Sequence, residues 1–159
     1  MKRDVRQNNS RTLMEGFAAG VIGTIPMTLS IMVAKWGGLI VMPPPRQISD
    51  NVAEQAPPLP EQGEPAFGPA WILAHFAYGG ICGAIYAGLS RFLPRRTLQA
   101  GSLFGSGVWL VSYGGYLPAI HLYPPPDEDS RTRTTVMIVA HLVFGTSVAA
   151  VHSRMKSRT

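Results

Sequence analysis

The chain has 159 residues, 46% of them hydrophobic and only 14% charged, with a net charge of +5. A soluble domain carries about 25% charged residues, and a nucleic-acid binder gathers its bases on a folded polar surface. Here the bases sit at the margins of long uncharged runs, which suits lipid headgroups and excludes nucleic acid as the expected partner.

In chain order, residues 1–12 form a basic tail with Lys2, Arg3, Arg6 and Arg11. The apolar run 13–35 exceeds the apolar core of a signal peptide, about 7–15 residues, and no small-x-small cleavage site follows it; it is expected to stay as a first span. A membrane crossing needs about 20 mostly apolar residues. On this span Gly16, Gly20 and Thr24 recur every fourth position. Pro26 predicts a kink and a freed carbonyl, for which Thr24 and Thr28 offer hydroxyls. Lys35 and Trp36 close the span at the outer interface, where Lys35 is expected to reach the headgroups or to pair with Glu54 or Asp50. Arg46 follows Pro43, Pro44 and Pro45 and has the same two carboxylates within reach. The stretch 43–67, rich in Pro and Glu, is expected to be an outer loop, extended with little helix.

The second span, 69–92, places Trp71 beside Trp36 in an aromatic belt. It carries His75 and Tyr78, and the small pairs Gly79/Gly83 and Gly80/Ala84. Cys82, the single cysteine, is expected to be a small packing residue; it leaves no intrachain disulfide and no cysteine metal motif. The 91–97 loop, with Arg91, Arg95 and Arg96, is short enough to predict a tight hairpin. The third span, 98–120, carries Gly101, Gly105 and Ser112. An acidic outer loop with Asp127, Glu128 and Asp129 leads to the fourth span, 134–153, with His141, Gly145 and Ala149. His121 and His152 fall near span ends and read as solvated. Residues 154–159 form a second basic tail.

With four spans, ten of the fourteen Lys and Arg residues fall on one side and seven of the nine acids on the other. The Lys/Arg bias orients a membrane protein, so both ends are expected in the cytoplasm. A soluble bundle would show polar faces at helical spacing, whereas 72–89 is apolar or small all round. The expected fold class is therefore an all-α membrane protein with four transmembrane helices. The small stripes predict tight helix–helix contact.

The two halves resemble each other. Ala19-Gly20 with Pro43-Pro44-Pro45 matches Ala100-Gly101 with Pro124-Pro125-Pro126 at a constant offset of 81. His75, Tyr78 and Gly79 match His141, Phe144 and Gly145 as H-x-x-aromatic-G. This predicts two parallel two-helix repeats about an axis along the membrane normal, with the two histidines at equal depth.

Val33-Ala34-Lys35-Trp36-Gly37 followed by Pro43-Pro44-Pro45-Arg46, the Ala-Gly start of span three and Ala140-His141-Leu142-Val143 together resemble YagU-type bacterial inner-membrane proteins. The first outer loop is shorter than that family's. The resemblance implies a bacterial inner membrane location and about four spans, and it implies no reaction.

A histidine inside a span is costly without a partner, so His75 and His141 are the candidate polar centre, with Tyr78 and Ser112 as hydrogen-bonding neighbours. Three roles compete: interhelical hydrogen bonds, a proton relay or polar path, and ligation of haem b or another metal. No haem, zinc, phosphate-loop or dinucleotide motif is present, so no cofactor and no enzyme activity are expected. Lys35, Trp36, Arg46 and Trp71 are the candidate outer-interface residues. The leading expectation is a small bundle that moves or senses a solute or proton. The alternatives are a membrane scaffold or accessory subunit, and a haem-binding electron carrier. The expected partners are the lipid bilayer and a second copy or another membrane protein.

Overall fold

The structure, a computed structural model, describes residues 2–55 and 70–157, with side chains from Ser10 onward except those of residues 53, 55 and 70. It is helical: α1 (Lys2–Trp36), α2 (Pro44–Gln55), α3 (Ala70–Leu89), a short 3-10 turn (Ser90–Phe92), α4 (Thr97–Val111), a π turn (Ser112–Tyr116), α5 (Leu117–Ala119) and α6 (Arg131–Lys156). Stretches Ser10–Trp36, Trp71–Phe92 and Arg131–Lys156 are each long and apolar enough to cross a membrane. The third predicted span is helical from Thr97 to Ala119 but is not one regular helix.

Its interruption has a local cause. Pro118 lacks an N–H and its ring crowds the carbonyl four residues back, which strains a regular α-turn. The chain widens instead: the Leu117 N–H reaches the Ser112 carbonyl, five residues away. The helix then stops in a paired capping motif, Leu122 N–H to Leu117 O at 3.0 Å and His121 N–H to Pro118 O at 3.0 Å. His121 takes the left-handed position there, at φ 56°. α1 ends the same way, with Leu39 N–H on Ala34 O at 2.9 Å, Gly38 N–H on Lys35 O at 3.0 Å, and Gly38 at φ 73°.

The 43–67 stretch departs from the extended reading, since Pro44–Gln55 is helix α2. Prolines break a helix from inside but suit its first turn, where the missing N–H had no partner to lose. Pro44 and Pro45 occupy that turn, and Ser49 Oγ donates to Pro45 O at 3.0 Å. The remainder of that stretch, 56–67, and Arg158 in the basic tail lie outside the described residues.

Helix pairing follows the glycines. α1 packs on α3 and on α6, and α4 packs on α6, while α3 and α4 do not pack closely together. The short 91–97 connection therefore does not produce the predicted hairpin. A Cβ on Gly20 or Gly79 would run into the facing helix, the Gly79 carbonyl in one case and the Thr24 hydroxyl in the other. A Cβ on Gly101 would meet the Gly145 carbonyl at 2.6 Å, and one on Gly145 would strike the Gly101 carbonyl. Each contact brings backbones together at small residues, the means by which helices associate in lipid. Between the pairs Phe104, Phe144, Val148 and Tyr86 fill the core, with Cys82 buried among them. Pro26 lies inside a continuous α1. Thr24 and Thr28 bond Gly20 O at 2.9 Å and Thr24 O at 2.8 Å, so neither hydroxyl serves the carbonyl that Pro26 frees.

Candidate functional site

At the end of the bundle covered by α2, a cavity of about 310 Å³ is lined by residues of α1, α2, α3, α6 and the π turn, with Val108 from α4. His75, Tyr78, Ser112 and His141 all line it, so the whole predicted polar centre converges on one space. Met27 of α1, Ile48 of α2 and Phe144 of α6 supply much of the apolar wall.

The two histidines come from α3 and α6. Their hydrogen bonding differs from the interhelical expectation. His141 Nδ1 lies 2.8 Å from the Met137 carbonyl of its own helix. A carbonyl only accepts, so Nδ1 carries the proton and the neutral ring presents Nε2 as an acceptor. His75 Nε2 is buried with no partner among the described residues. Ser112 Oγ donates to Val108 O on its own helix at 2.6 Å. Tyr78 of α3 and Tyr116 of the π turn both line the cavity.

The outer-interface candidates divide. Trp71 lines the cavity. Trp36 is 76% exposed and Lys35 is exposed beside it. Arg46 pairs with Asp50 at 3.8 Å, one turn along α2, as one of its two expected partners. His152, read as solvated, is buried at the opposite end against the Tyr86 ring, with centroids 5.6 Å apart. Tyr86 comes from α3, and the packing of α1 and α6 carries His152 inward, so sequence distance from the span end misjudged it.

Sequence reasoning missed the closure of the cavity at the α2 end. The Asp129 side chain is only 2% exposed, and it accepts from Arg133 Nε at 3.0 Å, from Ser130 N–H at 2.7 Å and from the Tyr113 hydroxyl. Arg133 Nη1 also donates to Gln47 Oε1 of α2 at 2.9 Å and to the Tyr123 hydroxyl at 3.3 Å. Asn51 of α2 donates to the Leu122 carbonyl at 2.9 Å. Burial pushes the Tyr123 hydroxyl up from its ordinary pKa, against the opposing pull of the Arg133 guanidinium. Asp129 is thus saturated and offers no free charge to the cavity. The one usable sequence signal was a D-S-x-x-R pattern opening α6, where Ser130 Oγ caps the helix by accepting from Arg133 N–H at 3.2 Å.

The described residues hold no group of three or more His, Cys, Asp or Glu side chains able to bind a metal. Comparison with known families finds one match, over residues 10–159, to a family of unknown function designated DUF6789. The chain belongs to DUF6789. The family description names no activity, and the likeness to YagU-type proteins rests on the motifs alone. No curated protein and no solved structure matches this DUF6789 member.

Proposed function

We propose that this DUF6789 member is a four-span protein of a bacterial inner membrane with both ends cytoplasmic, and that it binds a small neutral solute between His75 and His141 as the recognition step of transport or sensing. The observation that carries this reading is that one cavity of about 310 Å³ is lined by both histidines, Tyr78 and Ser112. Pockets for small organic ligands start near ~300 Å³ and are mostly apolar with a few placed polar groups.

The helical path Thr97–Ala119 supplies the fourth crossing, since a span of roughly 20 residues is enough. The Lys/Arg bias sets the orientation, which puts α2 and the cavity on the outer side. Two like features support the repeat. Gly20 with Gly79 and Gly101 with Gly145 are matching helix contacts, each one turn below its histidine. Both ascending helices also end in the same capping motif ahead of a triple proline.

Binding is favoured over a proton relay because Phe104, Phe144 and Val148 fill the core between the histidine pair and His152. The scaffold alternative loses its main support, because the small-residue faces are used within the chain. A haem needs far more room than this cavity offers.

The test is saturable binding of a neutral apolar probe. Aminoanthracene should gain fluorescence with the protein in nanodiscs, beyond empty nanodiscs, with one site per chain. Ala74→Trp, which fills the cavity, should abolish that gain. A signal equal to empty nanodiscs would reject the reading.

A further inference from the structure

We infer that the ligand of this cavity is a neutral aromatic alcohol, a phenol or quinol ring, entering sideways from the bilayer between α3 and α4. The inference rests on the binding role just proposed and names its chemical class.

Charge narrows the choice first. Among the described residues the cavity walls hold no Asp, Glu, Lys or Arg, and Asp129 at the α2 end is already filled by Arg133, Tyr113 and the Ser130 N–H. A charged ligand would be desolvated there with no fixed counter-charge to offset the loss. Ring chemistry narrows it further. Trp71, Tyr78, Tyr113, Tyr116 and Phe144 all border the space, a concentration of faces and edges that suits another aromatic ring. A volume of about 310 Å³ lies at the small end for organic ligands and admits a flat aromatic of one to three rings.

The hydroxyl follows from the two imidazoles. His141 is fixed as an acceptor at Nε2 by its Nδ1–H on the Met137 carbonyl. His75 Nε2 is buried and without a partner among the described residues. A hydroxyl both donates and accepts, so one O–H can donate to His141 while its oxygen or a second hydroxyl serves His75. A bare carbonyl cannot donate to His141, and a hydrocarbon serves neither.

The route follows from the packing. The network of Asp129, Arg133, Gln47 and Asn51 ties α2 across the end of the cavity. On the side, α3 and α4 do not pack closely, and the gap is bordered by Tyr78 and Tyr116, which are 38% and 40% exposed. In a membrane that exposure faces lipid, from which a lipophilic phenol would arrive.

The experiment is displacement of aminoanthracene from the full chain in nanodiscs by para-butylphenol and by butylbenzene, which differ in one hydroxyl. The phenol should compete about tenfold more tightly, the size of a hydrogen bond to an otherwise unsatisfied buried group. In His141→Leu the probe should still bind, and the preference should fall below about twofold. Equal displacement by both compounds overturns the phenol assignment and leaves the cavity's binding role standing. Failure of the probe to bind the unaltered protein overturns the binding role itself. Should His141→Leu not fold, the compound pair on the unaltered chain still decides.

Discussion

Burying a carboxylate costs several kcal/mol unless its lone pairs are filled, and Asp129 meets that condition with Arg133, Tyr113 and the Ser130 N–H. Its neighbours Asp127 and Glu128 are exposed and have no such role. Asp129→Asn keeps the shape but brings an amide N–H₂ against the guanidinium. It should cost about 2–4 kcal/mol, as a broken buried pair does. Asp127→Asn should stay within about 0.5 kcal/mol, as exposed substitutions do. Thermal unfolding in detergent compares the two, and equal melting temperatures would remove Asp129 from the closure. The sequence could not single out this residue from the acidic run. Its importance comes from Tyr113 and from Arg133, which in turn reaches Gln47, 86 positions away.

At the scale of elements, the apolar runs were legible because the cost of burying charge in lipid leaves a plain composition signal. Which helix touches which was not, because a stripe of small residues marks a contact face without naming the partner. Gly79 and Gly83 turn α3 toward α1 and away from its chain neighbour α4. α2 was illegible for a different reason, since prolines at a helix start look like prolines in an extended loop until the following residues choose. Gly79→Ala is expected to destabilise the bundle by roughly 2 kcal/mol or more, in the range of overpacked sites, because its Cβ would strike the Thr24 hydroxyl. Gly88→Ala has open space around it and should be neutral or slightly stabilising. Resistance to unfolding by added dodecyl sulfate separates the two; matching resistance would mean that α1 and α3 are not held in this register.

At the scale of the whole molecule, Cys82 is the single cysteine and is buried, which gives a quiet background for labelling. Asn51→Cys should react with an impermeant maleimide in intact cells. Ser157→Cys should react only after the inner membrane is opened. Labelling of Ser157→Cys in intact cells would overturn the four-span topology. The candidate site was legible in part at this scale. His75, Tyr78, Ser112 and His141 do line one cavity, as polar side chains within apolar runs gather inside the bundle. The cavity around them was not legible, because its walls come from α1, α2, α3, α6 and the π turn together.

The widened turn at Ser112–Tyr116 has a consequence for the cavity wall. α1 runs unbroken past Pro26, whereas the helical path from Thr97 bulges before Pro118. The bulge carries Tyr113 and Tyr116, and both rings line the cavity. A single widened turn thereby decides which phenol edges the interior meets, and losing it would re-aim both rings at once.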